Sequence, residues 1–167
     1  MTMSAKPSHV LFLCTGNSAR SIMAEVMLHH LGQGRCTAYS AGSHPKGTVH
    51  PLALATMQSM GLPVDGLRSK SWEEFARLDA PPRDMIVTVC DDAAGDVCPI
   101  WPGTPMTAHW GVEDPAAFQG TEDAQREKFR EVALKLRPRI ERFLSLLLAT
   151  LDRRTMQAKL EEIGQGG

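Results

Sequence analysis

HVLFLCTGNSARSIMAEVMLHHLG, residues 9–32, is the stretch whose reading decides the fold. Val10 to Leu13 is a continuous apolar run, as expected of a strand buried on both faces. From Ser21 onward Ile22, Met23, Val26, Met27 and Leu31 recur at helical spacing, and Gly32 supplies a stop. The unit is therefore strand, loop, helix, and the loop between reads Cys14-x5-Arg20-Ser21. Cys-x5-Arg alone is a weak pattern, and its position gives it weight. A short loop between a strand and a helix N-terminus can curl around one tetrahedral oxyanion, offering the backbone N–H groups of Thr15, Gly16, Asn17, Ser18 and Ala19. Arg20 adds a planar, two-pronged grip. The same positive field favours the thiolate of Cys14, a nucleophile at neutral pH. Gly16 is expected to give the loop a conformation that other residues resist. Ser21 fits two roles equally, donor to the thiolate or helix cap.

Outward from this unit, short apolar runs alternate with amphipathic ones. Cys36 to Ser40 reads as a strand, and His50-Pro51 opens a helix running to Met60. Ser71 followed by Glu74 marks a capping box for a short helix from Trp72 to Leu78. Asp84 to Cys90, DMIVTVC, is the most β-branched run in the chain and reads as a strand. A Pro/Gly-rich stretch follows, with one brief strand near Met106 to His109. Thr121 to Leu151 forms a long amphipathic pattern that Pro138 should kink or split. Residues 1–151 are expected to form a single domain, and residues 152–167 a polar, loosely held tail. This alternation implies an α/β fold, a mostly parallel sheet with helices on both faces. Ligands in such sheets bind beyond the C-terminal ends of the strands, where Cys14 and Cys90 are both expected.

Composition narrows the functional classes. Lys+Arg 18 against Asp+Glu 19 in 167 residues leaves a formal charge of −1, so no basic face for nucleic acid is expected. No apolar stretch approaches the roughly 20 residues of a bilayer span, and the N-terminal residues do not resemble a secretory leader. A cytoplasmic protein is expected, with Cys14, Cys36, Cys90 and Cys98 resting as thiols. The histidines and cysteines lack compact zinc spacing, so no metal and no cofactor are expected. Trp72, Trp101 and Trp110 read as partly buried anchors, and Cys36 as packing.

VLFLCTGNSARSIMAE, together with YSAG (residues 39–42), VTVC (87–90), Cys98-Pro99 and HWGVEDPA (109–116), resembles the low-molecular-weight protein tyrosine phosphatase family, and within it the arsenate reductase branch. The resemblance implies a three-layer sandwich around a four-stranded sheet. It also implies roles: Cys14 as nucleophile, Arg20 as oxyanion clamp, Asp114 as general acid, and Cys90 with Cys98 as a disulfide relay. The expected substrate is arsenate, with phosphate or sulfate able to occupy the same loop. The expected electron donor is thioredoxin or a glutaredoxin-like protein. Ala116 stands where tyrosine phosphatases of this fold resemble one another in carrying a Tyr, which favours a small inorganic substrate. Some members hold potassium near the loop; Asn17, Ser40 and Ser69 match three such positions, but Ser71 replaces the acidic one. Asn17 is expected instead to brace the loop with Ser40 as its partner. The alternatives are a tyrosine phosphatase using only Cys14, Arg20 and Asp114, and a non-enzymatic oxyanion-binding regulator.

Overall fold

The structure, a computed structural model, describes residues 8–76, 84–89, 106–147 and 152–165. Cys90, Cys98 and Trp101 lie outside the described residues. β1 (Ser8–Cys14) lies inside a sheet with β2 (Cys36–Gly42), β3 (Met85–Thr88) and β4 (Met106–His109), in the order β2-β1-β3-β4. All three pairings are parallel, and the register sets Cys14 beside Gly42 and Leu13 beside both Ala41 and Thr88. The second strand pairs on one side of β1 and the third on the other. That reversal is a topological switch point, so the loop after β1 opens into the crevice where α/β folds bind ligands.

The continuous apolar run of β1 is explained by cover on both faces. Val10 and Phe12 belong to the larger core, with Met23 and Met27 of α1 (Arg20–Leu31). Leu11 and Leu13 point to a smaller core with Ala41, Ile86, Trp72 and Phe75, the last within α3 (Glu73–Ala76). Helix α1 is buried around most of its circumference, with Ala24 and Leu28 as inaccessible as the expected face. It lies between the sheet and two further helices, α2 (Pro51–Ser59) and α4 (Glu122–Leu147).

Three local expectations change. Pro138 sits inside α4 without splitting it. Proline forfeits the N–H that would bond Leu134 O, but Pro138 and Leu134 are both exposed, so water can serve that carbonyl. Residues 152–165 are no loose tail: Arg153–Gln165 forms α5. Its high polarity hides a stripe of Met156, Leu160 and Ile163, all buried against the larger core, each worth roughly 1.5–3 kcal/mol. Asp152 caps it by accepting from Thr155 N at 2.7 Å, and Trp110 Nε1 donates to Leu160 O at 2.9 Å. Trp110 is accordingly a fully buried hub, not a partly buried anchor. No helix among the described residues is long and apolar enough to cross a membrane.

Candidate active site

Between the last residue of β1 and the first of α1 the chain has only Thr15 to Ala19 in which to turn. The turn is made at Asn17, whose φ of 46° lies in the left-handed region that asparagine tolerates better than most residues. Gly16 does not carry the left-handed conformation expected of it. Its value is space: a Cβ there would stand 3.2 Å from Cε of Lys46. Gly42, at the end of β2, is constrained harder, because a Cβ would meet Thr15 O at 2.5 Å and Asn17 N at 3.0 Å.

The loop is held from outside by the segment after β2. Ser43 N donates to Cys14 O, His44 N to Thr15 O, Lys46 N to Gly16 O and His50 N to Ser18 O, at 2.8–3.3 Å. In a trans peptide the C=O of one residue and the N–H of the next point opposite ways. Anchoring these four carbonyls outward therefore turns the N–H groups of residues 15, 16, 17 and 19 toward the inside of the loop. Helix α1 starts there with Ala19 as N-cap, no side-chain cap and no acidic residue in its first turn. Its positive end is left to an anion.

Beneath the loop, the fully buried Asn17 donates from Nδ2 to Ser21 Oγ at 2.8 Å and accepts Lys70 N at Oδ1, also at 2.8 Å. Ser21 Oγ in turn lies 2.8 Å from Cys14 Sγ. A thiolate has no proton to give, so with Cys14 ionised it is Ser21 that donates to the sulfur. This separates the two roles left open for Ser21: it does not cap the helix. Asn17 does not pair with Ser40, which donates to Glu25 instead. Burial pushes Glu25 up from the ordinary carboxylate range, opposed by the Ser40 bond and the charge of Lys70. Burial pushes Lys70 down, opposed by Glu25. Ser69 bridges Gly47 N and Gly16 O, and Ser71 Oγ accepts Glu73 N at the start of α3. The carboxylate of Glu74 grips Arg68 in a two-point ion pair.

Across the mouth, Arg20 donates from Nη1 to Val112 O at 3.2 Å, and its Nη2 stands 3.7 Å from Asp114 Oδ2. Asp114 begins the 3-10 turn Pro115–Ala117, accepting Ala116 N at Oδ1. The strand-like run before it is pinned from α4 by Arg139, whose Nη1 donates to Trp110 O and Gly111 O. Cys14, Thr15, Gly16, Ser18, Ala19, Arg20 and Asp114 line one cavity of about 150 Å³. This is small beside the 300–1,000 Å³ of sites for drug-sized molecules.

The structure thus brings together every expected site residue that it describes, with Ser21 and Asn17 just beneath. Cys90 and Cys98 are beyond its reach, although Val89 N, one residue before Cys90, donates to Leu13 O. Sequence reasoning missed His44 and Lys46, which also line the cavity. It missed Gly42 and His50 as loop supports too. The polar string SHPKGTVH (residues 43–50) reads as surface loop, and nothing in its composition signals that its backbone pairs with the turn after β1.

Residues 9–157 match the low molecular weight phosphotyrosine protein phosphatase family. The chain is 38% identical to an arsenate reductase of Bacillus licheniformis over 135 residues, covering 80% of this chain and 93% of that protein. It is 36% identical over 134 residues to that of Bacillus subtilis, with the same coverage. A solved arsenate reductase in a phosphate-binding state superposes with a TM-score of 0.67 at 30% identity, over 84% of this chain and 98% of that one. A low-molecular-weight tyrosine phosphatase from T. tengcongensis shares the fold, with a TM-score of 0.64 at 22% identity over 83% and 99% of the two chains. With that match spanning most of its length, the chain belongs to the low-molecular-weight phosphotyrosine protein phosphatase family.

Proposed function

We propose that this protein reduces arsenate to arsenite, with electrons drawn from its own thiols. The observation that carries the proposal is Cys14 Sγ, hydrogen-bonded by Ser21 in a cavity whose walls are backbone N–H groups, Arg20 and Asp114. Relatives at 36–38% identity are arsenate reductases. In the first step the Cys14 thiolate attacks arsenic while Asp114 gives a proton to the departing oxygen, so an As–S bond forms and water leaves. Arg20 and the loop hold the charge on the remaining oxygens. In the second step Cys90 attacks Cys14 Sγ as the thiolate, its proton passing to an oxygen on arsenic. The electron pair of the As–S bond passes to arsenic, releasing arsenite and a Cys14–Cys90 disulfide. Cys98 then attacks Cys90, restoring Cys14 and leaving Cys90–Cys98 for an external dithiol protein, thioredoxin or a glutaredoxin-like partner. A reducing cytoplasm is the compartment this cycle needs.

The 150 Å³ cavity and the methyl group of Ala116 beside Asp114 favour a small inorganic anion over an aryl phosphate. The purified protein should convert arsenate to arsenite with a thioredoxin system and hydrolyse aryl phosphate poorly. Cys90→Ser should abolish multiple-turnover reduction while leaving phosphate binding near normal. Brisk aryl phosphate hydrolysis with no arsenite would replace the proposal with the phosphatase reading. Arsenate binding without consumption of reductant would replace it with the regulator reading.

A further inference from the structure

The cavity holds more positive charge than the Cys-x5-Arg pattern provides. His44 and Lys46 donate their backbone N–H groups to Thr15 O and Gly16 O, at 2.8 and 3.0 Å. Both residues line the cavity that contains Cys14. The position of Lys46 is fixed from three directions. Its own N–H bonds Gly16 O; the next N–H, of Gly47, bonds Ser69 Oγ; and Ser69 Oγ donates to that same Gly16 O. Gly47 turns the chain away at φ 83°. The aliphatic stem of Lys46 then lies over Gly16, where a Cβ would come within 3.2–3.4 Å of Cγ, Cδ and Cε. Among the described residues no carboxylate forms an ion pair with Lys46. Lys46 is exposed, yet its stem is laid across the loop and its side chain is part of the cavity lining.

We propose that Lys46 is a second cationic arm of the oxyanion site, on the lining it shares with Arg20, that closes on the bound anion and sets its affinity for doubly charged oxyanions. The charge balance favours such a group. An arsenate dianion beside a Cys14 thiolate brings three negative charges into a site where Arg20 supplies one positive charge and the helix end about half of one. Lys46 supplies another, and as a flexible point charge it can follow the anion as oxygens are lost, which the planar Arg20 fork, held on Val112 O, cannot. This inference rests on the oxyanion-site part of the proposed function.

The test uses inorganic phosphate as probe, read as protection of Cys14 from iodoacetamide by peptide mass mapping, in the parent, Lys46→Gln and Lys46→Arg. Loss of one charge-assisted contact corresponds to about tenfold or more. Lys46→Gln should need about tenfold more phosphate for half-protection, and its KM for arsenate should rise about tenfold with kcat within twofold. Lys46→Arg, which keeps the charge, should stay within about threefold of the parent. A Lys46→Gln protection curve equal to that of the parent overturns the assignment, and so does Lys46→Arg failing as badly as Lys46→Gln. The phosphate arm needs no turnover. A parent protein that binds phosphate yet leaves arsenate unreduced therefore ends the reductase proposal, and the protection curves still decide the role of Lys46.

Discussion

One hydroxyl decides how Cys14 behaves. Ser21 Oγ accepts a hydrogen bond from Asn17 Nδ2 and, with Cys14 ionised, donates one to Cys14 Sγ, and Ser21 and Asn17 are both fully buried. A hydrogen bond to a charged group contributes about 1.5–3 kcal/mol, here to the thiolate and not to the thiol. Ser21→Ala should therefore slow alkylation of Cys14 by iodoacetamide at pH 7 at least tenfold, with a comparable loss in arsenate turnover. Equal alkylation rates in variant and parent would remove Ser21 from the mechanism. At this scale the pairing of Cys14 with Arg20 was legible from residue type and spacing, and Asp114, which lines the same cavity, only through the family resemblance. The support was not. Asn17 finds its partners at Ser21 and Lys70, and the latter is 53 residues away. No local pattern distinguishes Lys70 from Ser40 as the second of them. Gly16 was legible as necessary and misread in reason, because a sequence shows a missing side chain without showing whether torsion or space requires it.

Two helices carry consequences that residue types alone do not. Helix α2 is capped by His50, whose Nδ1 accepts Leu52 N at 3.1 Å while its ring packs on Phe129 of α4 at 4.7 Å between centroids. Accepting at Nδ1 requires the neutral ring. Burial holds His50 below its ordinary value of 6.5, and the nearby charge of Lys46 pushes the same way, with Asp114 opposing. The unfolded state thus takes up the proton first. The cap's contribution is complete above pH 6.5 and is lost as pH falls from there through the lower folded value. His50→Ala should cost about 1 kcal/mol at pH 8 and flatten this part of the pH dependence. His50→Asn should keep the cap and flatten it too. Melting temperatures from pH 5 to 8 measure both, and an unchanged slope in the two variants would assign the titration elsewhere. Helix α5 makes the second consequence. If residues 152–165 were dispensable, Leu160→Ala would be neutral; as Leu160 is fully buried beneath Trp110, it should lose 2–5 kcal/mol in urea unfolding. The strands and α1 were legible because their apolar runs are dense. Helix α5 was not, because its apolar residues are sparse and its stripe has meaning only against Trp110 and β4.

Across the whole molecule, the sheet sorts cysteines by depth. Cys14 ends β1 at the open, C-terminal edge, where the loop and α1 bring positive charge. Cys36 begins β2 at the opposite edge, paired in register with Ser8, and is almost wholly enclosed by the larger core. Two thiols in adjacent parallel strands thus occupy opposite ends of the sheet. The order β2-β1-β3-β4 produces that separation, and it was legible in outline from alternating strands and helices, although which strand flanks which was not. Burial pushes the Cys36 thiol from its ordinary 9.0 up to about 11, with only Arg35 opposing. On unfolding, that thiol ionises two pH units earlier. Between pH 9 and 11 the unfolded chain therefore binds fewer protons than the folded one, and stability declines as pH rises through this window. Burial also raises Tyr39 from its ordinary 10.0, so the measurement is a difference: urea unfolding at pH 8, 9, 10 and 11 for the parent and for Cys36→Ala. The parent should lose more stability than the variant across that range. In the folded protein at pH 8, Cys36 should resist iodoacetamide under conditions that label Cys14 within minutes. Rapid labelling of Cys36, or parallel curves for parent and variant, would mean that β2 opens at its start. Cys36 would then be available to the redox cycle that its burial at the closed end of the sheet now denies it.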